Sequence, residues 1–337
     1  MDNRRVFQKG GRPKRGPLVL IFNASPVCNA RCSFCKYWKK SGEDYLRAST
    51  SEERAKIVKQ AGAAGVWLLS FCAAEPLLMD DIEDLIALAK RAGMLVNIST
   101  NGSRLKEKAR MLCDLGVDMV TISIDSHIAS EHDDLRGYPG LYSKIEEGVE
   151  QLREIRSKGK PWICVRHLLS GKNAFNVAEM VNAWRSRCDE MLFKVISSTN
   201  DGTYTVPPEF AFDPERISDF REYFFQVLKK YPELDNEYHR NIPDHIAGTL
   251  PQDRYFCMAG SFFGDIDQKG DLYACIEQGE SMGTVLDGGM MELWASEKMN
   301  SFRKNLKENR RCQACWADRF RQGVIVQKVL NVLGGVG

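Results

Sequence analysis

Short apolar runs alternate with amphipathic stretches along the first two thirds of the chain. Runs at residues 18–23, 66–71, 95–99, 119–124, 162–168 and 191–196 are apolar on both faces and five to seven residues long, the signature of buried strands. Between them, residues 51–61, 82–91, 105–115, 142–156 and 177–187 place apolar side chains at helical spacing. Six βα repeats of this kind predict an α/β fold: a parallel sheet wrapped by helices through right-handed crossovers, curled into a partial (β/α)6 TIM-like barrel. The chemistry of such a fold sits at the C-terminal ends of its strands.

The pattern changes after residue 196. Residues 197–214 read as loop, 215–230 as helix, and 232–253 as irregular and polar. Two short apolar stretches within residues 261–275 flank Gln268-Lys269-Gly270-Asp271, a hairpin signal, and a helix is expected from about 291 to 306. A last helix, with Val324, Val326, Val329, Leu330 and Leu333 on one stripe, is expected to dock on the main domain or on a second copy of the chain. The organisation this predicts is a basic segment at 1–16, the barrel at 17–200, a connecting segment at 201–253 and a small β-hairpin and helix domain at 254–337.

Charge narrows the partners. Lys plus Arg number 47 against 45 Asp plus Glu, a formal charge of +2 over 337 residues, so no global field favours nucleic acid. The basic run Arg4, Arg5, Lys9, Arg12, Lys14 and Arg15 reads as a solvated terminus. Neither an apolar signal segment nor an eighteen-residue apolar span is present, so a cytoplasmic location without a membrane span is expected. Eleven cysteines in a reducing compartment point to metal ligation rather than to disulfides.

Cys28-Asn-Ala-Arg-Cys32-Ser-Phe-Cys35 follows the first strand. Three thiolates on one loop can hold a cluster whose fourth iron keeps no protein ligand. Zinc is the alternative, but structural zinc takes four ligands and no fourth Cys or His lies nearby. This CxxxCxΦC pattern, with Phe34 before the last cysteine, resembles the radical S-adenosylmethionine (SAM) superfamily. The resemblance implies a SAM-binding 4Fe-4S cluster on Cys28, Cys32 and Cys35. It implies, too, reductive cleavage of SAM to a 5′-deoxyadenosyl radical that abstracts hydrogen from a substrate, with the electron supplied by flavodoxin or ferredoxin.

Further matches fall at successive strand ends. Cys72-Ala73-Ala74-Glu75-Pro76 is similar to the family's Gly-Gly-Glu-Pro, with alanine in place of both glycines. The resemblance places the Ala74 backbone and the Glu75 carboxylate at the cofactor's ammonium, provided the alanines keep negative φ. Asn101 in Thr100-Asn101-Gly102, Ser123 and Asp125 in Ser123-Ile124-Asp125, and Arg136 in Arg136-Gly137 are likewise implied SAM contacts. Arg166, His167 and Lys194 are open between substrate contact and structural duty, and no residue is assigned as catalytic acid or base.

Cys257, Cys275, Cys312 and Cys315 fall together in the last third, the final two as a CxxC pair. A zinc ribbon suits that spacing as well as an iron–sulfur cluster does. With Gly283-Thr284-Val285 and Leu293-Trp294 the region resembles Twitch, a shortened SPASM domain, which implies an auxiliary 4Fe-4S cluster with every iron ligated. Such a cluster suits electron transfer, so the expected reaction is oxidation of a small polar metabolite. Peptide modification or carbon–carbon bond formation is the alternative within the class, and a non-catalytic metal-binding scaffold the alternative outside it. The oligomeric state is left open.

Overall fold

The computed structural model describes residues 13–39, 48–198, 204–250 and 257–309. Six parallel strands, β1 (Val19–Phe22), β2 (Leu68–Phe71), β3 (Leu95–Thr100), β4 (Met119–Ser123), β5 (Trp162–Leu169) and β6 (Glu190–Val195), pair in sequence order. Helices α1 (Ser51–Ala63), α2 (Ile82–Arg91), α3 (Leu105–Asp114), α4 (Ala129–Arg136), α5 (Leu141–Ile155) and α6 (Val177–Trp184) connect them. The predicted repeats are present, and the sheet does not close: β6 is one of its edges.

Local sequence explains the elements. Thr50 caps α1 with a capping box: its Oγ1 accepts from Glu53 N at 3.2 Å and Glu53 Oε2 accepts from Thr50 N at 2.8 Å. In α5, Leu141, Ile145, Val149 and Leu152 form the buried stripe. Gly148 sits in that stripe because α3 crosses it closely; a Cβ there would lie 2.7 Å from Leu105 Cβ. The core is continuous between the sheet and these helices, with Trp184, Phe71 and Phe193 among its largest fully buried side chains.

Five features depart from the sequence reading. The short helix α4 is unforeseen, because only His132 and Arg136 of its eight residues are buried and no apolar stripe marks it. The polar stretch after residue 232 contains two short helices, Glu237–Arg240 and Ile242–Ile246, the first capped by Asn236, whose side chain accepts from His239 N. The hairpin is where Gln268 to Asp271 predict it, between β7 (Phe263–Ile266) and β8 (Asp271–Tyr273), but a third strand, β9 (Ser281–Thr284), pairs with β8. Moreover β7 pairs in parallel with β1, so barrel and hairpin share one nine-stranded sheet, β6-β5-β4-β3-β2-β1-β7-β8-β9. The helix expected over 291–306 is two, Met290–Trp294 and Glu297–Asn309. The expected C-terminal helix lies outside the described residues. Among the described residues no helix is long and apolar enough to cross a membrane.

Candidate active site

The cysteine loop leaves β1 and crosses the C-terminal ends of the strands, held by its own backbone. Glu75 N donates to Val27 O at 2.9 Å, and Arg31 N and Ser33 N donate to the carbonyls of Arg136 and Leu135 at 2.8 and 3.1 Å. Those carbonyls end α4, where no intrahelical donor is left for them, so the loop completes the helix. Gly137 ends α4 with φ at +56°, Tyr138 N donating back to Asp133 O at 3.0 Å in a Schellman arrangement. A Cβ on Gly137 would meet Arg31 O at 2.6 Å. The Arg-Gly step is thus the seat of the cysteine loop.

The three thiols are buried or half-buried and surrounded by donors. Asn101 Nδ2 lies 3.9 Å from Cys28 Sγ, Arg136 Nη1 3.8 Å from Cys32 Sγ, and Tyr37 N 3.4 Å from Cys35 Sγ. Burial pushes the Cys28 thiol up to about 12 and raises Cys32 as well, the Arg136 charge opposing it at Cys32. Cys28 and Cys32, whose ionisation burial opposes and which donors face, suit a cationic iron centre, whose charge would favour the thiolate. Among the described residues no group of three or more His, Cys, Asp or Glu is gathered to hold a single metal ion. A cubane takes its thiolates on separate irons, and three from this loop would leave the fourth iron open.

Arg136 is the hub of the wall. Its Nη2 pairs with Asp125 Oδ2 at 2.7 Å, both side chains nearly buried, and its guanidinium lies 5.5 Å from the Phe34 ring centroid. The Asp125 charge raises the arginine above its ordinary value against the opposing effect of burial. Asp125 Oδ1 accepts from Leu168 N at 3.1 Å, and Asp125 N donates to His132 Nδ1 at 3.1 Å. Burial, then the Arg136 charge, depresses His132 to about 4. The sign follows: the unfolded imidazole takes a proton near 6.5 and the folded one resists it, so this contribution is complete above 6.5 and lost as pH falls toward 4. His132→Asn is therefore expected to flatten the loss of stability between pH 7 and 5, measured by urea unfolding at each pH; an unchanged slope would count against it.

Glu75 differs from its expected part. It is fully buried and does not line the cavity; Oε1 accepts from Leu77 N (3.1 Å) and Thr100 Oγ1 (2.7 Å), and Oε2 from Asn101 N (2.6 Å). It ties the end of β2 to the turn after β3, and burial raises its carboxyl to about 7 against those donors. The alanines differ too: Ala73 and Ala74 have φ of +58° and +44°, not negative values, so they occupy backbone that glycine takes without strain. Each costs about 1–2 kcal/mol in that region, partly offset by the extra unfolded-state freedom of glycine, about 0.4–1 kcal/mol. Ala73→Gly and Ala74→Gly are each expected to stabilise by roughly 0.5–1 kcal/mol in urea unfolding; lowered stability would show that the methyls pack favourably.

One cavity of about 390 Å³ gathers these groups. Cys28, Cys32, Cys35, Ala74, Asn101, Ser123, Asp125 and Arg136 line it. Of the three open residues, Arg166 and Lys194 line it, whereas His167 is buried behind, with Nδ1 3.0 Å from Ile124 O and its ring against Phe193. The sequence reading did not single out Tyr37, Tyr204, Asp265, Asp267, Gln268, Lys269 or Glu277 as cavity residues, yet all line it. Of these, the predicted hairpin marked Gln268 and Lys269, as turn residues and not as cavity wall.

Of the second cysteine set, Cys275 is buried just after β8, and Cys257 Sγ accepts from Ala259 N at 3.5 Å. Gly260 brings the two segments together, its backbone so close to residue 274 that a Cβ would lie 3.2 Å from Ala274 Cβ. Arg303 holds that turn by donating to the Gly260 and Trp294 carbonyls. Cys312 and Cys315 lie outside the described residues.

Known proteins match along the same lines. Residues 22–183 match the model of the Radical SAM superfamily and residues 257–316 that of the SPASM iron–sulfur cluster-binding domain. The chain is 30% identical over 148 residues to a probable GTP 3′,8-cyclase of Thermococcus kodakarensis, a match covering 43% of this chain and 46% of that protein. It thus spans less than half of that relative. An AdoMet-dependent heme synthase of Nitratidesulfovibrio vulgaris is 23% identical over 316 residues, 88% of this chain and 84% of that one. Among solved structures, Streptococcus suis SuiB bound to S-adenosylmethionine superposes with a TM-score of 0.69 at 17% identity, covering 88% of this chain and 70% of SuiB, and shares the fold.

Proposed function

The chain carries a radical SAM domain followed by a SPASM iron–sulfur cluster-binding domain, and from that premise we propose that it oxidises a small polar substrate by hydrogen abstraction, with an auxiliary 4Fe-4S cluster as electron acceptor. The observation that carries this reading is the shared cavity: the Cys28, Cys32 and Cys35 loop forms one wall, and Tyr273 and Ile276, the neighbours of Cys275, belong to another. A substrate seated there lies between the first cysteine loop and the segment that carries Cys275.

When bound, the first cluster supplies the electron that cleaves SAM and so the radical that attacks the substrate. Cys28, Cys32 and Cys35 hold that cluster in this reading, with Asn101 and Arg136 donating toward their sulfurs. Ser123, Asp125, Arg136, Asn101 and the backbone at Ala74 are the SAM-facing wall. Glu75 acts one step back, fixing the Asn101 amide and the loop that carries Ala74. Phe34 and Phe210, packed edge to face at a centroid distance of 6.1 Å, close the side of the cysteine loop against water. Cys257 and Cys275, with Cys312 and Cys315, hold the auxiliary cluster within residues 254–337, and a flavodoxin or ferredoxin supplies electrons from outside.

Anaerobic reconstitution followed by SAM and dithionite is expected to give 5′-deoxyadenosine and methionine in equal amounts. An iron-loaded protein that forms neither sinks the enzyme reading in favour of a scaffold.

A further inference from the structure

Asn29, the residue after Cys28, reaches across to the turn that follows β3. Its Oδ1 accepts from Asn101 Nδ2 at 2.9 Å and its Nδ2 donates to Ser103 Oγ at 2.9 Å, joining positions 72 and 74 residues apart. Ser103 Oγ also stands 3.3 Å from Asn29 Oδ1. Asn29 is half-buried, and Asn101 and Ser103 are buried.

One backbone donor fixes which way both carboxamides point. Ser103 N donates to the Asn101 side chain at 2.8 Å, and because an amide N–H only donates, the atom it meets is Oδ1. Asn101 Nδ2 is thereby turned toward Asn29, whose oxygen must face it, which leaves the Asn29 nitrogen for Ser103.

The consequence falls on Cys28. The two hydrogens of a carboxamide NH2 lie in one plane at a fixed angle, so the bond that Asn29 accepts aims the other hydrogen. Cys28 Sγ stands before it, 3.9 Å from Asn101 Nδ2. Asn101 is held from behind as well, since Glu75 Oε2 accepts from its main-chain N–H at 2.6 Å. An N–H directed at the sulfur ligand of an iron–sulfur cluster favours the more negative, reduced state and raises the reduction potential.

We propose that Asn29 is a positioning residue for SAM cleavage: through Asn101 it holds an N–H on Cys28 Sγ and so raises the reduction potential of the first cluster. This rests on the reading of Cys28, Cys32 and Cys35 as the ligands of that cluster. Asn29 does not itself line the cavity, so its effect passes through Asn101.

The test is a redox titration of the reconstituted full-length protein followed by electron paramagnetic resonance, the first cluster being the signal that the Cys28, Cys32 and Cys35 triple alanine variant lacks. Asn29→Ala is expected to lower its midpoint potential, so that the ratio of reduced to oxidised cluster at a fixed potential falls by roughly tenfold, about 59 mV for one electron. Asn101→Ala is expected to give the same shift and the double variant no more than either single one, because both substitutions remove the same donor. Ser103→Ala, which unbraces Asn29 and leaves the cysteine loop unchanged, is expected to lower the ratio by about twofold. A change below about twofold in Asn29→Ala, a rise in potential, or additive shifts in the double variant overturns the proposal. If Asn29→Ala assembles no first cluster, Asn101→Ala and Ser103→Ala decide, and potentials equal to that of the unsubstituted protein overturn it. Shifted potentials with no 5′-deoxyadenosine formed from SAM and dithionite leave the positioning role standing and end the enzymatic reading; unshifted potentials with SAM cleaved do the reverse.

Discussion

Replacing Cys28, Cys32 and Cys35 together with alanine is expected to abolish SAM cleavage, a drop of at least about a thousandfold in 5′-deoxyadenosine formed, while leaving about four irons per chain. The first half follows from placement. The three thiols share one loop seated on the end of α4, and no other cysteine of that loop can replace them. The second half follows from the separation of Cys257, Cys275, Cys312 and Cys315, which belong to the far end of the chain and to the region matching the SPASM domain. Cys72 lines the same cavity as the triad, so the variant should also carry Cys72→Ser to keep that thiol from capturing iron. Iron, zinc and acid-labile sulfide are measured on the purified protein. Zinc without sulfide would mean a zinc ribbon, and no metal at all would leave the second cysteine set without a cluster.

Sequence pattern made the barrel legible because its strands are buried on both faces and its main helices carry wide apolar stripes. α1 announces itself through Thr50 and Glu53, and α5 through Leu141, Ile145, Val149 and Leu152. What the pattern hid was α4, whose cohesion comes from polar contacts: His132 receiving the Asp125 amide, and two terminal carbonyls receiving the cysteine loop. The same holds at the site. The three cysteines, Ser123 and Arg136 stand out by type and spacing, but the direction of a side chain is not in the pattern. Glu75 therefore turned out to be a clamp within the wall, and Arg166 and His167, adjacent in sequence, face opposite sides of β5 as strand alternation requires. The alanines at 73 and 74 mislead for a related reason. Propensity gives negative φ for alanine, while the loop imposes +58° and +44°. The cavity wall from β7 and β8 was beyond reach altogether, since the pairing of β7 with β1 joins residues more than 240 apart in sequence.

Arg136→Met is expected to destabilise the protein by about 3–5 kcal/mol, because it removes one partner of a buried pair and leaves the other charge behind. Asp125 keeps only the Leu168 amide among its side-chain bonds once the guanidinium is gone. Methionine keeps the unbranched stem out to the ε position but not the guanidinium over Phe34, so the double variant is what separates the charge from the lost contact. If that reasoning holds, Asp125→Asn in the Arg136→Met background recovers at least half of the loss, since a neutral amide is far less costly to bury than an unpaired carboxylate. Urea unfolding of the two single variants and the double variant measures the coupling directly. A loss below about 1 kcal/mol in Arg136→Met, or no recovery in the double variant, would mean that the pair does not act as its geometry implies. The double variant separates two duties of one guanidinium. It donates toward Cys32 Sγ as well as binding Asp125, so a protein restored in stability yet unable to bind SAM or to keep its first cluster would place Arg136 in cofactor recognition rather than in the fold alone.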